Sequence, residues 1–328
     1  MKLSYRHLFR FLGKGSFIHK EWVLLLVLGS IIFLALYPRE KIFTIDVFTE
    51  VVSFQITDPK YSEWNIGGAS IQTDFFDESG EAILLAPFSR LEPSKGVEVQ
   101  LQRHGVGPVY LKLTCSGGSV GRVDIGDGKY IDLGDWVLIT ILADAKPKIF
   151  PFRGTLDIGD DVSVGVDSIL LDGKLSIIEE KLFTSGHYTA GQEVLISGDR
   201  VQLWKNKTIS SDNNSNRSCN TVQSNNHSGK KRVRSELDGF IRTEPEKNYS
   251  EPVNALNLVA HGNADYAEVN RFGSAGYEVK VHPLTRFVND PILGIVFGVL
   301  TAFLILLEVV SKMRTSNTSK EKEVEKNE

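Results

Sequence analysis

Residues 97–104 read VEVQLQRH, a pattern that points to a β fold. Val97, Val99 and Leu101 alternate with Glu98, Gln100 and Gln102, the period of two that a half-buried β-strand requires. On either side, short apolar runs of the same kind recur: FTIDVFTEVVSFQI from Phe43, VYLKLTC from Val109, WVLITIL from Trp136, ILLDGKLSII from Ile169, VLISGDRVQLW from Val194 and ALNLVAHG from Ala255. Gly96, Gly105, Gly107, Gly117–Gly118, Asp127–Gly128, Asp172–Gly173 and Gly198–Asp199 punctuate them at hairpin-like intervals. No segment here sustains a 3.6-residue pattern of useful length. A mainly β domain of sandwich or jelly-roll type is the expectation. Pro147 and Pro151, around KPKIFPFRG, mark an expected boundary between two β modules.

Two apolar runs flank this region. The first, Trp22 to Tyr37, reads WVLLLVLGSIIFLALY; it carries no charge and has an aromatic residue at each end, where membrane interfaces favour them. Its length covers about 24 Å at about 1.5 Å per residue, so flanking residues complete the span, with Lys20 and Arg39 snorkelling outward. Ala35-Leu36-Tyr37-Pro38 lacks a small-x-small cleavage pattern, which favours an uncleaved anchor over a signal peptide. The second run, Pro291 to Val310, reads PILGIVFGVLTAFLILLEVV and has bilayer length. Within it Gly294 and Gly298 form a GxxxG pair that permits close helix packing, against Gly29–Ser30 of the first span or a second copy of the chain.

Charge orients the spans. Lys2, Arg6, Arg10, Lys14 and Lys20 against Glu21 give the segment before the first run +4, while the charges from Glu308 onward cancel. The chain's net charge is -4, which leaves the middle at -8. Basic residues at both outer ends predict two cytoplasmic termini and a two-pass protein of the plasma (inner) membrane, with a periplasmic or extracellular main domain. An acidic middle speaks against nucleic acid as a general partner without excluding a local basic patch.

The expected organisation is therefore a cytoplasmic basic segment over 1–21, a transmembrane helix over 22–38, a β module over 39–150, a second β module over 151–290, a transmembrane helix over 291–310 and a charged cytoplasmic tail over 311–328. The second module contains a disordered loop over 205–235, because KNKTISSDNNSNRSCNTVQSNNHSGKKRVRS has no Phe, Tyr or Trp to bury. Its Lys230, Lys231, Arg232 and Arg234 offer a contact for anionic lipid or glycan, beside the plainer reading of a solvated insertion.

Signals for chemistry are few. None of His7, His19, His104, His187, His227, His261 and His282 sits in a close-spaced ligand pattern, so no metal site or cofactor is expected. Asp157, Asp160, Asp161 and Asp167 cluster without the order of a calcium loop and read as solvated turn carboxylates. No catalytic motif stands out, and no catalytic residue is assigned. Cys115 and Cys219 share the oxidising compartment under this topology. They either form a disulfide or remain as a core thiol and an exposed thiol, and both readings stay open.

Three functions follow. The first is a membrane-anchored, non-enzymatic scaffold or assembly component of the cell envelope, whose β domain binds another envelope protein, a further copy of itself or a surface polymer. The second is a ligand or glycan sensor that signals through a cytoplasmic partner. The third is an envelope glycan or lipid enzyme, whose carboxylates sequence spacing does not reveal.

Overall fold

The computed structural model describes residues 39–67, 69–73, 90–104, 107–124, 128–141, 148–159, 170–181, 185–207, 231–243, 256–272 and 275–324, together with Gly29, Phe33 and Tyr37. The fold is mainly β, as the alternating runs predict, with nineteen strands among the described residues. In chain order these are β1 (Lys41–Thr49), β2 (Val51–Ile56), β3 (Trp64–Asn65), β4 (Ala69–Thr73), β5 (Arg90–Pro93), β6 (Glu98–Gln102), β7 (Val109–Thr114), β8 (Gly121–Asp124), β9 (Tyr130–Asp132) and β10 (Trp136–Ile141). After them come β11 (Ile149–Ile158), β12 (Leu170–Glu180), β13 (His187–Ile196), β14 (Asp199–Lys207), β15 (Lys231–Arg234), β16 (Glu236–Thr243), β17 (Leu256–Asn263), β18 (Tyr266–Arg271) and β19 (Tyr277–Val279). Two α-helices follow, α1 (Pro283–Asn289) and α2 (Pro291–Val324).

The chain forms two compact units. The larger holds residues 40–179 and 191–280, and its organising strand is the β1–β2 run. β1 pairs with β12 and β17, and the register slips between Phe48 and Thr49. Past that irregularity, β2 pairs with β11 and β6 instead. A bulge lets one strand change neighbours in this way. Thr49, fully buried, occupies the break: its hydroxyl donates to the Val51 carbonyl at 2.9 Å and accepts from the Val51 amide at 3.3 Å. Since β17 pairs with β16 and β16 with β11, the ladder closes on itself through β2.

The alternation in VEVQLQRH is real: Val99 and Leu101 are fully buried in β6 while Glu98 is exposed. The core of the β1–β2 run is aromatic. Phe54 stacks on Phe152 at 4.6 Å between ring centroids and meets Trp64 edge-on at 6.1 Å, and Trp64 meets Phe150 at 5.9 Å. Each such pair adds about 0.5–1.5 kcal/mol beyond its burial. The Trp64 indole also donates to the Pro151 carbonyl at 2.8 Å, so its single polar atom is satisfied.

Several expectations change. The boundary expected at 150/151 falls inside β11, which pairs with β2 on one side and β16 on the other. Strands on both sides of that boundary thus share a sheet. The loop expected over 205–235 is corrected at both ends, where β14 runs to Lys207 and β15 begins at Lys231, the two pairing antiparallel. Residues 208–230 lie outside the described residues. Gly96, Gly117, Gly128 and Gly198 do turn the chain at positive φ. Asp172–Gly173 does not: it lies within β12, where a Cβ on Gly173 would come within 2.8 Å of the Val47 Cα. Close packing, not turn geometry, demands that glycine.

The smaller unit comprises residues 1–39, 180–190 and 281–328. Of the first apolar run, only Gly29, Phe33 and Tyr37 are described. The approach to the second run is helical (α1), and α2 continues past the expected span to Val324. Among the described residues no helix is long and apolar enough to cross a membrane.

Candidate functional site

Within the smaller unit, one buried ion pair joins the ends of the two apolar runs. An Arg39 Nη donates to Asp290 Oδ2 at 2.7 Å, with side chains 5% and 0% exposed. The same guanidinium donates to the Tyr188 hydroxyl at 3.0 Å and reaches the Glu180 carbonyl at 3.4 Å. Arg286 on α1, also buried, donates to the Tyr37 carbonyl at 3.0 Å. Asp290 also caps α2 ahead of Pro291, since its Oδ1 accepts from the Ile292 amide at 2.9 Å. An acidic N-cap followed by proline is a strong helix start, and a carboxylate there also meets the positive end of the helix dipole. Arg39 therefore does not snorkel outward as expected. It turns inward because Asp290 supplies a counter-charge close by, a partner 251 residues away that local sequence cannot show.

In the larger unit, buried charge is managed in a second place. Asp199, fully buried, starts β14 after the Gly198 turn, accepts two hydrogen bonds from Arg271 at 2.8 Å each and one from the Ile196 amide at 2.9 Å. The Arg271 guanidinium lies 5.6 Å from the centre of the Tyr277 ring, and the Tyr277 hydroxyl donates to Glu193 at 2.8 Å. Burial, then the bond to Glu193, pushes the Tyr277 phenol up to about 12. A raised phenol favours the protonated fold, so this contribution is whole below the unfolded value of about 10 and is lost as pH rises toward 12. In an alkaline titration read by phenolate absorbance, one tyrosine is expected to ionise near 12, and Tyr277→Phe is expected to remove that step.

The third constellation surrounds Asp157. Its carboxylate accepts from both Arg200 nitrogens at 3.1 and 2.8 Å, from the Gln202 amide at 3.1 and 3.0 Å and from Arg234 at 3.2 Å. Asp157 is thus no solvated turn carboxylate, although Asp160, Asp161 and Asp167 lie outside the described residues. An open cleft of about 620 Å³ lies alongside, lined among others by Arg153, Lys205, Arg234, Glu236, Asp238 and His261. Arg153 is engaged there by both oxygens of Asp238. On the β15–β14–β18–β19 strands, Arg234 stands opposite Trp204 and Trp204 opposite Tyr266. The Arg234 guanidinium lies 4.6 Å from the centre of the indole. Arg232 and Lys280 approach the Tyr266 ring at 5.5 and 5.1 Å, and both pair with Glu278. Burial raises the Tyr266 phenol.

The remaining sequence candidates sit as follows. Cys115 is buried at 6% exposure and disulfide-bonded, while Cys219 lies outside the described residues. A Cβ added at Gly29, Gly294 or Gly298 would meet no described atom within 4 Å. Among the described residues no three His, Cys, Asp or Glu side chains gather as metal ligands. No family model, no curated protein and no solved structure matches the chain.

Proposed function

We propose that the chain is a membrane-tethered, non-enzymatic scaffold or assembly component of the cell envelope. It crosses the plasma (inner) membrane twice with both termini cytoplasmic, and its β body, a sandwich built on the closed β1–β2 ladder, faces the periplasm or exterior. The observation that carries this reading is the surface of α2. Ile295, Val296 and Phe297, at successive 100° steps around the helix, are all exposed, and Val299, Phe303, Ile305 and Leu306 follow. A helix apolar on every side needs a lipid or protein environment, and its sequence continues to Val310, about 30 Å from Pro291, with Glu308 as its single charge.

The Arg39–Asp290 pair supports the tether: in this reading it binds the outer ends of the two spans at the membrane surface. The Gly294–Gly298 pair suits close packing against a second copy of the chain. An oxidising compartment suits a Cys115–Cys219 disulfide, and intact-mass measurement with and without reductant reads it as the uptake of two thiol labels only after reduction. The scaffold role itself is tested by crosslinking in intact cells and recovery of the complex. A stoichiometric partner, or a second copy lost in a Gly294→Ile/Gly298→Ile variant, is expected. Recovery of monomer alone would contradict the reading.

A further inference from the structure

We propose that the cleft in the fork between β15 and β17 binds a neutral sugar unit of a surface polymer. This deepens the scaffold reading, on which it rests for the polymer being within reach, by naming the chemistry of that partner.

The fork follows from the register. β16 and β17 are paired as far as Asp238 and His261, while β1 and β17 stay paired to Ile42 and Asn263. Traced back from Asp238, the chain leaves β17 and passes through Ser235 into β15, which pairs with β14 instead. The cleft of about 620 Å³ occupies that opening, within the range of about 300–1,000 Å³ that small-molecule sites take. Glu236, His261 and Asn263 line it with exposed side chains, since strand alternation turns Leu237 and Ala260 inward to the core. Ile42 and Val233, both half-buried, add an apolar patch to the lining.

Two observations define the ligand. The first is charge. Of the charged residues lining the cleft, Arg153 is held by both oxygens of Asp238 and Arg234 by Asp157. Lys205 and Glu236 remain, one of each sign, so an ion of either sign meets no surplus of opposite charge and would have to break an existing pair. A neutral polar ligand breaks none. The second observation is a buried hydroxyl. Ser235 lines the cleft at the apex of the fork, is 2% exposed, and its Oγ has no hydrogen-bond partner. A buried polar atom without a partner is costly, and a hydroxyl both donates and accepts, so a ligand rich in hydroxyls completes it. The exposed groups ask for the same chemistry: the Glu236 carboxylate accepts, the Asn263 amide does both, and the His261 imidazole supplies two ring nitrogens. A sugar ring meets all of these with adjacent hydroxyls and turns a C–H face to Ile42 and Val233.

The full chain in phosphatidylcholine nanodiscs, applied to an array of neutral hexose and N-acetylhexosamine oligosaccharides with sulfated and sialylated ones alongside, tests the proposal. Binding to neutral oligosaccharides is expected, with an affinity that calorimetry finds little changed between about 50 and 200 mM salt, because no charge is neutralised. Glu236→Ala/His261→Ala, at two exposed positions, is expected to weaken that binding about tenfold. Should this variant lose its near-UV circular dichroism, Asn263→Ala is expected to show a smaller loss with the fold intact. Ser235→Ala separates a binding role from a structural one: it is expected to raise the unfolding midpoint of the unliganded chain, by removing an unpartnered hydroxyl, and to weaken sugar binding. Binding to no neutral oligosaccharide, binding to the acidic ones alone, equal affinity in a folded variant, or a lowered midpoint in Ser235→Ala would overturn the site. Crosslinking reads the protein partner separately, so this site and the scaffold role can fail independently.

Discussion

Replacing Arg39 by Ala is expected to destabilise the smaller unit by about 3–5 kcal/mol, because it strands the fully buried Asp290 carboxylate without its counter-charge. Asp290→Ala is expected to cost at least as much, since it also removes the α2 cap, worth about 0.5–2 kcal/mol. Asp290→Asn separates the two roles: asparagine caps as well as aspartate but carries no charge. The double variant Arg39→Met/Asp290→Asn leaves neither charge of the pair behind, and most of the loss is expected to return. Thermal unfolding of the full chain in nanodiscs reads all four. A double variant no more stable than Arg39→Ala would show that the ion pair is not the unit that holds this joint.

Asp199→Ala carries the second-largest effect, about 2–4 kcal/mol, because it removes the charged acceptor of two Arg271 bonds and one backbone bond at a buried site. The loss is smaller than at Arg39 because the Arg271 side chain is 30% exposed and water can solvate part of its charge. Asp199→Asn retains an acceptor for the Ile196 amide and is expected to fall between the parent and the alanine variant. Chemical unfolding followed by near-UV circular dichroism gives the order. Identical losses for alanine and asparagine would place the whole effect in the charge pair, and a loss below about 0.5 kcal/mol for both would contradict the role given to Asp199.

What the sequence disclosed follows the range of each signal. Alternation at Val97, Val99 and Leu101 reports a strand because a pleat turns successive side chains to opposite faces, a local rule. Glycine at the Gly198 turn is equally local, since positive φ is a property of that one residue. Asp172–Gly173 misled because a dipeptide cannot say whether glycine serves a turn or makes room for Val47 on a neighbouring strand. Composition read Lys205–Lys207 and Lys231–Arg234 as loop, and cross-strand pairing overrode it. The Arg39–Asp290 pair was out of reach by distance along the chain, yet half of it was legible: aspartate then proline before an apolar run is a helix start, readable from Asp290–Pro291 alone. The Trp204–Tyr266 pair gave no local signal at all, since its meaning lies in which strands the fold sets side by side.

The scaffold role presupposes that the two apolar runs cross one membrane and leave the β body outside. Single cysteines at Lys129, exposed on the β body, and at Ser319, near the C-terminal end of α2, test this with a membrane-impermeant maleimide on intact cells. Lys129→Cys is expected to be labelled in intact cells and Ser319→Cys only after permeabilisation. Labelling of both positions without permeabilisation, or of Ser319→Cys alone, would contradict it.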